Sequence, residues 1–96
     1  MDSLRVESYL TSVASRLSLR AYGKPIIHSP QGAGKPENEG FDAFLPLIDS
    51  GISLYVWSSA KFFSVVLFTC KAFDSTTAIS FTKQYFDANE IEHTSV

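Results

Sequence analysis

The stretch Leu47-Ile48-Asp49-Ser50-Gly51-Ile52-Ser53-Leu54-Tyr55-Val56-Trp57, followed after a short break by Phe62-Phe63-Ser64-Val65-Val66-Leu67-Phe68-Thr69-Cys70, decides the fold. Asp49, Ser50 and Gly51 form a turn signal: two short polar side chains that can bond nearby backbone, then a glycine without a Cβ. From Ile52 to Trp57, Ile, Leu and Val alternate with Ser53, Tyr55 and Trp57. That period of two belongs to a strand with one face in a core. Ser58 to Lys61 turns again. Phe63 to Phe73 is rich in Phe and Val, which suit a pleated, half-buried surface. Residues 52–57 and 63–71 are therefore expected to form a hairpin.

Working towards the N-terminus, Phe41 to Ile48 is a further strand candidate. Pro46 lies inside it and cannot donate to a ladder, which predicts an edge or bulged strand. Residues 29–40 hold three Gly and two Pro among twelve residues and read as a loop. Leu19 to His28 is strand-like, but Gly23 and Pro25 interrupt it, so only Ile26 to His28 are secure. From Leu4 to about Leu17, the residues Val6, Tyr9, Leu10, Val13 and Leu17 recur at helical spacing. Asp2 or Ser3 can cap that helix.

Towards the C-terminus, Asp74 or Ser75 caps a second helix, with Ala78, Phe81, Tyr85 and Phe86 on its apolar face. Asn89 to Val96 alternates weakly and reads as a final strand. The element order predicts an α+β fold: a two-layer α/β sandwich in which two helices cover one face of a largely antiparallel sheet. The other face must then meet water or a second subunit. With so many aromatic residues, a homodimer is expected.

The chain has 96 residues, enough for one domain spanning 1–96. It is 45% hydrophobic and 14% aromatic, which is a folding composition rather than a disordered one. The net charge of −2 gives no pull towards nucleic acid or anionic lipid, and no basic stripe is interleaved with aromatics. Its one cysteine, Cys70, cannot form an intramolecular disulfide and fits a reducing compartment. The first ten residues mix polar and apolar side chains, unlike a signal peptide. The longest apolar stretch, Phe62 to Cys70, is far short of the ~20 residues of a membrane helix. A cytoplasmic protein without membrane or nucleic-acid partners is expected.

Two motif candidates are set aside. Gly32-Ala33-Gly34-Lys35 approaches a phosphate-binding loop, but Ser29 stands where the first glycine belongs. Pro36 stands where a Ser or Thr is needed, and a proline also removes a backbone donor from such a cradle. His28 and His93 are far apart in sequence and lack the clustered partners of a metal site, so no metal is expected.

The quoted stretch resembles the core of the bacterial-type, self-processing S-adenosylmethionine decarboxylases. In that family an acidic residue precedes a serine at a turn, an alternating strand runs to a tryptophan, and the return strand ends in Phe-Thr-Cys. Here these are Asp49, Ser50, Trp57 and Phe68-Thr69-Cys70, and Cys70 falls twenty residues after Ser50, the family's spacing. The likeness extends over the first helix, His28-Ser29-Pro30-Gln31-Gly32 and the last helix. It implies scission between Asp49 and Ser50, with Ser50 becoming a pyruvoyl group. That group's ketone is an electron sink for decarboxylation of an amine substrate, S-adenosylmethionine first among them, in polyamine biosynthesis. The resemblance makes Cys70 the acid that returns a proton to the substrate.

Several family positions hold other residues. The processing histidine falls at Tyr55, and a phenol is a far poorer base than an imidazole near neutrality. The residue after the serine is Gly51 where the family often has histidine. Ser58-Ser59 replaces a Pro-Glu pair that helps build the substrate site. A further processing serine falls at Asp42, and the family's opening strand has no counterpart. Two function classes follow. One is a pyruvoyl-dependent decarboxylase using Ser50, Cys70, Tyr55 and Asp49. The other is an unprocessed, non-enzymatic family member acting as a binding or partner subunit.

Overall fold

A computed structural model describes residues 2–29, 37, 39–48 and 50–94. The Gly32-to-Lys35 motif, most of the 29–40 loop, Asp49 and the last two residues lie outside the described residues.

Helix α1 runs Ser3–Arg16, and Asp2 caps it by accepting the Arg5 N–H at 2.8 Å. It ends at Ser18, which adopts a left-handed φ of 58° while the Leu19 N–H returns to the Ala14 carbonyl at 2.8 Å. This six-to-one closure satisfies a carbonyl that the helix leaves open. Four strands follow: β1 (Ile26–His28), β2 (Gly40–Leu47), β3 (Ser50–Trp57) and β4 (Phe62–Phe68). They pair antiparallel in the order β1-β2-β3-β4. Helix α2, Ser75–Phe86, is capped by Asp74, whose carboxylate accepts the Thr77 N–H at 3.2 Å. That bond holds the Asp74 carboxyl below its ordinary value.

Both helices lie on one face of the sheet, as the expected sandwich requires. The register explains the core. Phe41, Ala43 and Leu45 of β2 pair with Val56, Leu54 and Ile52 of β3, and these three pair on with Phe63, Val65 and Leu67 of β4. Alternation sends this set towards Val6, Tyr9, Leu10 and Val13 of α1. Phe81, Tyr85 and Phe86 of α2 gather around Tyr9, with ring centroids 6.1, 5.4 and 4.7 Å away. Arg5 and Tyr85 clamp the two helices reciprocally. The Arg5 guanidinium donates to the Tyr85 carbonyl at 2.6 Å, and the Tyr85 hydroxyl donates to the Arg5 carbonyl at 3.0 Å.

Three expectations change. First, β2 is not an edge strand: β1 and β3 flank it. Pro46 is accommodated because β1 pairs only with residues 42–44. The Pro46 carbonyl instead accepts the Tyr22 N–H at 3.1 Å, so the side of the strand lacking a donor faces irregular chain. Second, β4 stops at Phe68 rather than continuing to Phe73. The Thr69 side chain accepts the Lys71 N–H at 3.0 Å, taking a donor that a longer ladder would have used. Third, residues 89–94 form no strand. Glu90 and Glu92 interrupt a segment too weakly apolar to bury a face.

Tyr9 is fully buried, and Thr82 beside it is the one polar side chain in the core among the described residues. The Thr82 hydroxyl donates to the Ala78 carbonyl at 2.7 Å, so at the 2.7 Å contact between the two hydroxyls Tyr9 is the donor. Burial pushes the Tyr9 phenol up to about 12 from its ordinary 10.0, although the contact with Thr82 opposes the shift. Because the folded value is raised, the stabilisation is fully present below pH ~10 and is lost as the pH rises towards about 12. Denaturant midpoints measured across pH 9–12 should fall for the natural chain by the equivalent of roughly 2 kcal/mol. Tyr9→Phe should flatten that fall while lowering stability near pH 7 by about 1 kcal/mol.

Candidate functional site

The hairpin between β2 and β3 brings Leu47 opposite Ser50, so Ser50 opens β3 at the end of the sheet. On the other side, Gly51 pairs with Phe68, the last residue of β4. One step further out, the Ser50 hydroxyl donates to Thr69 Oγ1 at 2.9 Å. Cys70 follows directly and is exposed. The chain here is anchored from behind: Lys71 Nζ donates at 3.2 Å to the carbonyl of Ser18, the left-handed residue that ends α1.

A hollow of about 300 Å³, open to solvent, lies at this end of the sheet on the face away from the helices. Phe44, Ser50, Gly51, Ser53, Val66 and Phe68 line it. Its volume is at the lower bound of typical small-molecule sites, and its lining is aromatic and aliphatic with two serines. Phe44 reaches over Gly51. A Cβ at position 51 would lie 2.6 and 2.7 Å from the Phe44 ring, so the ring occupies the space a side chain there would need.

A larger hollow, about 560 Å³, lies across the helices and is lined by Thr11, Ser12, Ser15, Arg16 and Phe81. Arg16 lies against the Phe81 ring, 5.0 Å from its centroid. None of the residues expected to carry chemistry touches it. The smaller hollow, beside Ser50, is the better site on chemical grounds.

The structure thus brings Ser50 to the strand exit that bears Cys70. It does not bring Tyr55 there. Tyr55 lies five residues along β3, ~17 Å at ~3.4 Å per residue, and it does not line the hollow. It is exposed on the open face, opposite Asp42 on β2 and Ser64 on β4. Asp42 pairs in turn with His28 on β1. Trp57 packs on Phe62, ring centroids 5.4 Å apart. Cys70 is not the buried strand thiol its sequence context allows, because β4 ends before it.

A family model for S-adenosylmethionine decarboxylase matches residues 1–96. The chain belongs to the S-adenosylmethionine decarboxylase family. Comparisons with curated proteins and with solved structures give no significant match. Thr69, bonded to Ser50, and Phe44, packed over Gly51, are not among the candidate residues that the sequence singles out. Thr69 is the middle of Phe-Thr-Cys, and a Thr at a strand end can accept the backbone N–H two residues on. Phe44 carries no sequence signal, because its place over Gly51 depends on the register of β2. Among the described residues, no three of His, Cys, Asp and Glu converge as a metal site would require, and no helix is long and apolar enough to cross a membrane.

Exposure of Cys70 has a direct chemical consequence. In the folded protein without denaturant, a disulfide-exchange reagent should titrate one thiol per chain, at a rate within about tenfold of a free cysteine. Labelling that begins only on unfolding would contradict the placement of Cys70.

Proposed function

We propose that this member of the S-adenosylmethionine decarboxylase family cleaves itself between Asp49 and Ser50 and decarboxylates an amino-acid-like amine, with S-adenosylmethionine as the first substrate to test. The observation that carries this reading is the 2.9 Å bond from the Ser50 hydroxyl to Thr69. It joins the nucleophile of a bacterial-type enzyme to the residue that precedes the one thiol in the chain, and Ser50 is also among the residues that line the apolar hollow.

Processing needs no external catalyst to begin. The Ser50 hydroxyl attacks the carbonyl of residue 49, and the amide becomes an ester as the C–N bond breaks. Loss of the Ser50 Cα proton then expels the residue 49 carboxylate, and water replaces the nitrogen, which leaves as ammonia. The residues present suit such a group: a serine at the start of a strand, beside a hollow with room for part of a substrate. A pyruvoyl group at position 50 would supply an electron sink for loss of carbon dioxide. Phe44 and Phe68 would shield the reacting amine from water, and Cys70 Sγ would return a proton to the substrate carbon.

The proposal includes a homodimer. Ile26, Phe44, Tyr55, Phe62, Val66 and Phe68 are all exposed on the face away from the helices, with Phe68 66% exposed. A contiguous apolar face of this kind favours a partner surface. A second copy is the occupant that also answers the position of Tyr55, which cannot reach Ser50 within one chain. Tyr55 and Asp42 of one copy could approach Ser50 of the other across paired sheets. A cytoplasmic setting fits the lone thiol.

The second reading, an uncleaved partner subunit, is favoured by Tyr55 in the place of the family's histidine. Intact mass separates the two. Self-processing predicts fragments of 49 and 47 residues, the second carrying a carbonyl at its start, and none in Ser50→Ala. A single unbroken species after prolonged incubation would leave the partner-subunit reading standing. For assembly, sedimentation should give twice the chain mass for the natural protein, and the chain mass itself for Phe62→Lys combined with Val66→Lys. An unchanged mass in that variant would place the interface elsewhere.

A further inference from the structure

Thr69 Oγ1 receives two donors. The Ser50 hydroxyl approaches it at 2.9 Å and the Lys71 N–H at 3.0 Å. A threonine oxygen has two lone pairs, and the Lys71 N–H and the Ser50 hydroxyl each take one. Its position is fixed from two directions. The Lys71 backbone holds it at the exit of β4, and Lys71 Nζ ties that exit to the Ser18 carbonyl at 3.2 Å. Thr69 is half-buried and bounds Ser50 on the side opposite the β2–β3 turn.

We infer that Thr69 is a positioning residue for Ser50, holding its side chain in one rotamer with the hydroxyl proton turned towards the exit of β4. The inference rests on the reading that Ser50 attacks the preceding carbonyl. In that step a bond forms from Ser50 Oγ to the carbonyl carbon of residue 49, and the bond from that carbon to the Ser50 nitrogen breaks. The hydroxyl proton ends on that nitrogen. The ester is therefore an isomer of the starting chain, and no co-reactant is required. With the proton engaged by Thr69, the lone pairs of Ser50 Oγ point away from the exit of β4. A serine without this partner samples three staggered wells, and an ordinary hydrogen bond biases it towards one by roughly five- to tenfold.

The simpler role for Thr69 is to end β4 through the Lys71 N–H. Substitution distinguishes the two. Thr69→Val keeps the shape and removes the acceptor, whereas Thr69→Ser keeps the acceptor and removes the methyl group. Hydroxylamine cleaves the ester and not the amide, so it reports the first step alone. Under hydroxylamine, intact-mass time courses should show scission at 49–50 slowed roughly five- to tenfold in Thr69→Val. Thr69→Ser should restore the rate to within about twofold of the natural chain. Equal rates in all three chains overturn the inference, as does equal slowing in both variants.

If the natural chain forms no ester, the processing reading falls, and the intact protein then decides the role of Thr69 by itself. The Ser50 Hα–Hβ couplings should report one fixed rotamer in the natural chain and in Thr69→Ser, and averaging in Thr69→Val. Averaged couplings in the natural chain, or fixed ones in Thr69→Val, overturn the inference. Should Thr69→Val fail to fold, Thr69→Ala removes the same acceptor and is read in the same way.

Discussion

The register of β2 against β3 is the constraint on which the rest of the structure depends. It sets Leu45 against Ile52, Ala43 against Leu54 and Phe41 against Val56, and so sends all six into the layer under the helices. A slip of one residue would exchange that layer for Phe44, Ser53 and Tyr55. Both ends of the pairing resist slipping. At one end, Gly40 lies so close to Val56 that a Cβ would fall on its carbonyl, and only a glycine fits. At the other, Leu47 pairs directly with Ser50, and only two residues of sequence join them. The same register that fills the core therefore presents Phe44 to Gly51 and places Ser50 at the sheet's end, beside the exit of β4.

Much of the fold was legible because it follows from local rules. The alternation of residues 52–57, the helical spacing of Val6, Tyr9, Leu10 and Val13, and the caps at Asp2 and Asp74 each have a cause within a few residues. The errors arose where a distant partner decided the matter. Pro46 marked an edge only if its neighbour strand were long, and β1 is three residues long. Thr82 carries no mark in the sequence, and its burial depends on Tyr9, seventy-three positions away. The end of β4 at Phe68 was decided by a side chain, not by strand propensity.

The site was legible in a different way. Ser50 and Cys70 were singled out by family spacing, and the hairpin brings Ser50 to the strand exit before Cys70, where its hydroxyl meets Thr69. Tyr55 was singled out by the same spacing, but five residues along one strand is a separation, not a meeting. Spacing alone does not distinguish these cases; the hairpin does. Phe44 and Thr69 had no such marker. Phe44 depends on register, and Thr69 acts through a hydroxyl whose partner is fixed only once β4 has ended.

The substitutions at family positions also take on a common physical sense in the fold. Gly51 and Phe44 form one unit, because the ring fills the volume that a larger residue at 51 would occupy. Asp42 and Tyr55 form another, as direct cross-strand neighbours whose side chains share the open face. Such pairing is what a sheet imposes, since a change on one strand is felt first by the residue opposite it. Meanwhile Ser50, Thr69 and the chain leading to Cys70 form a contiguous hydrogen-bonded corner tied to α1 through Lys71. Asp42 and Tyr55 lie along the open face, whereas the corner that holds Ser50 has its geometry fixed by hydrogen bonds through Thr69 and Lys71.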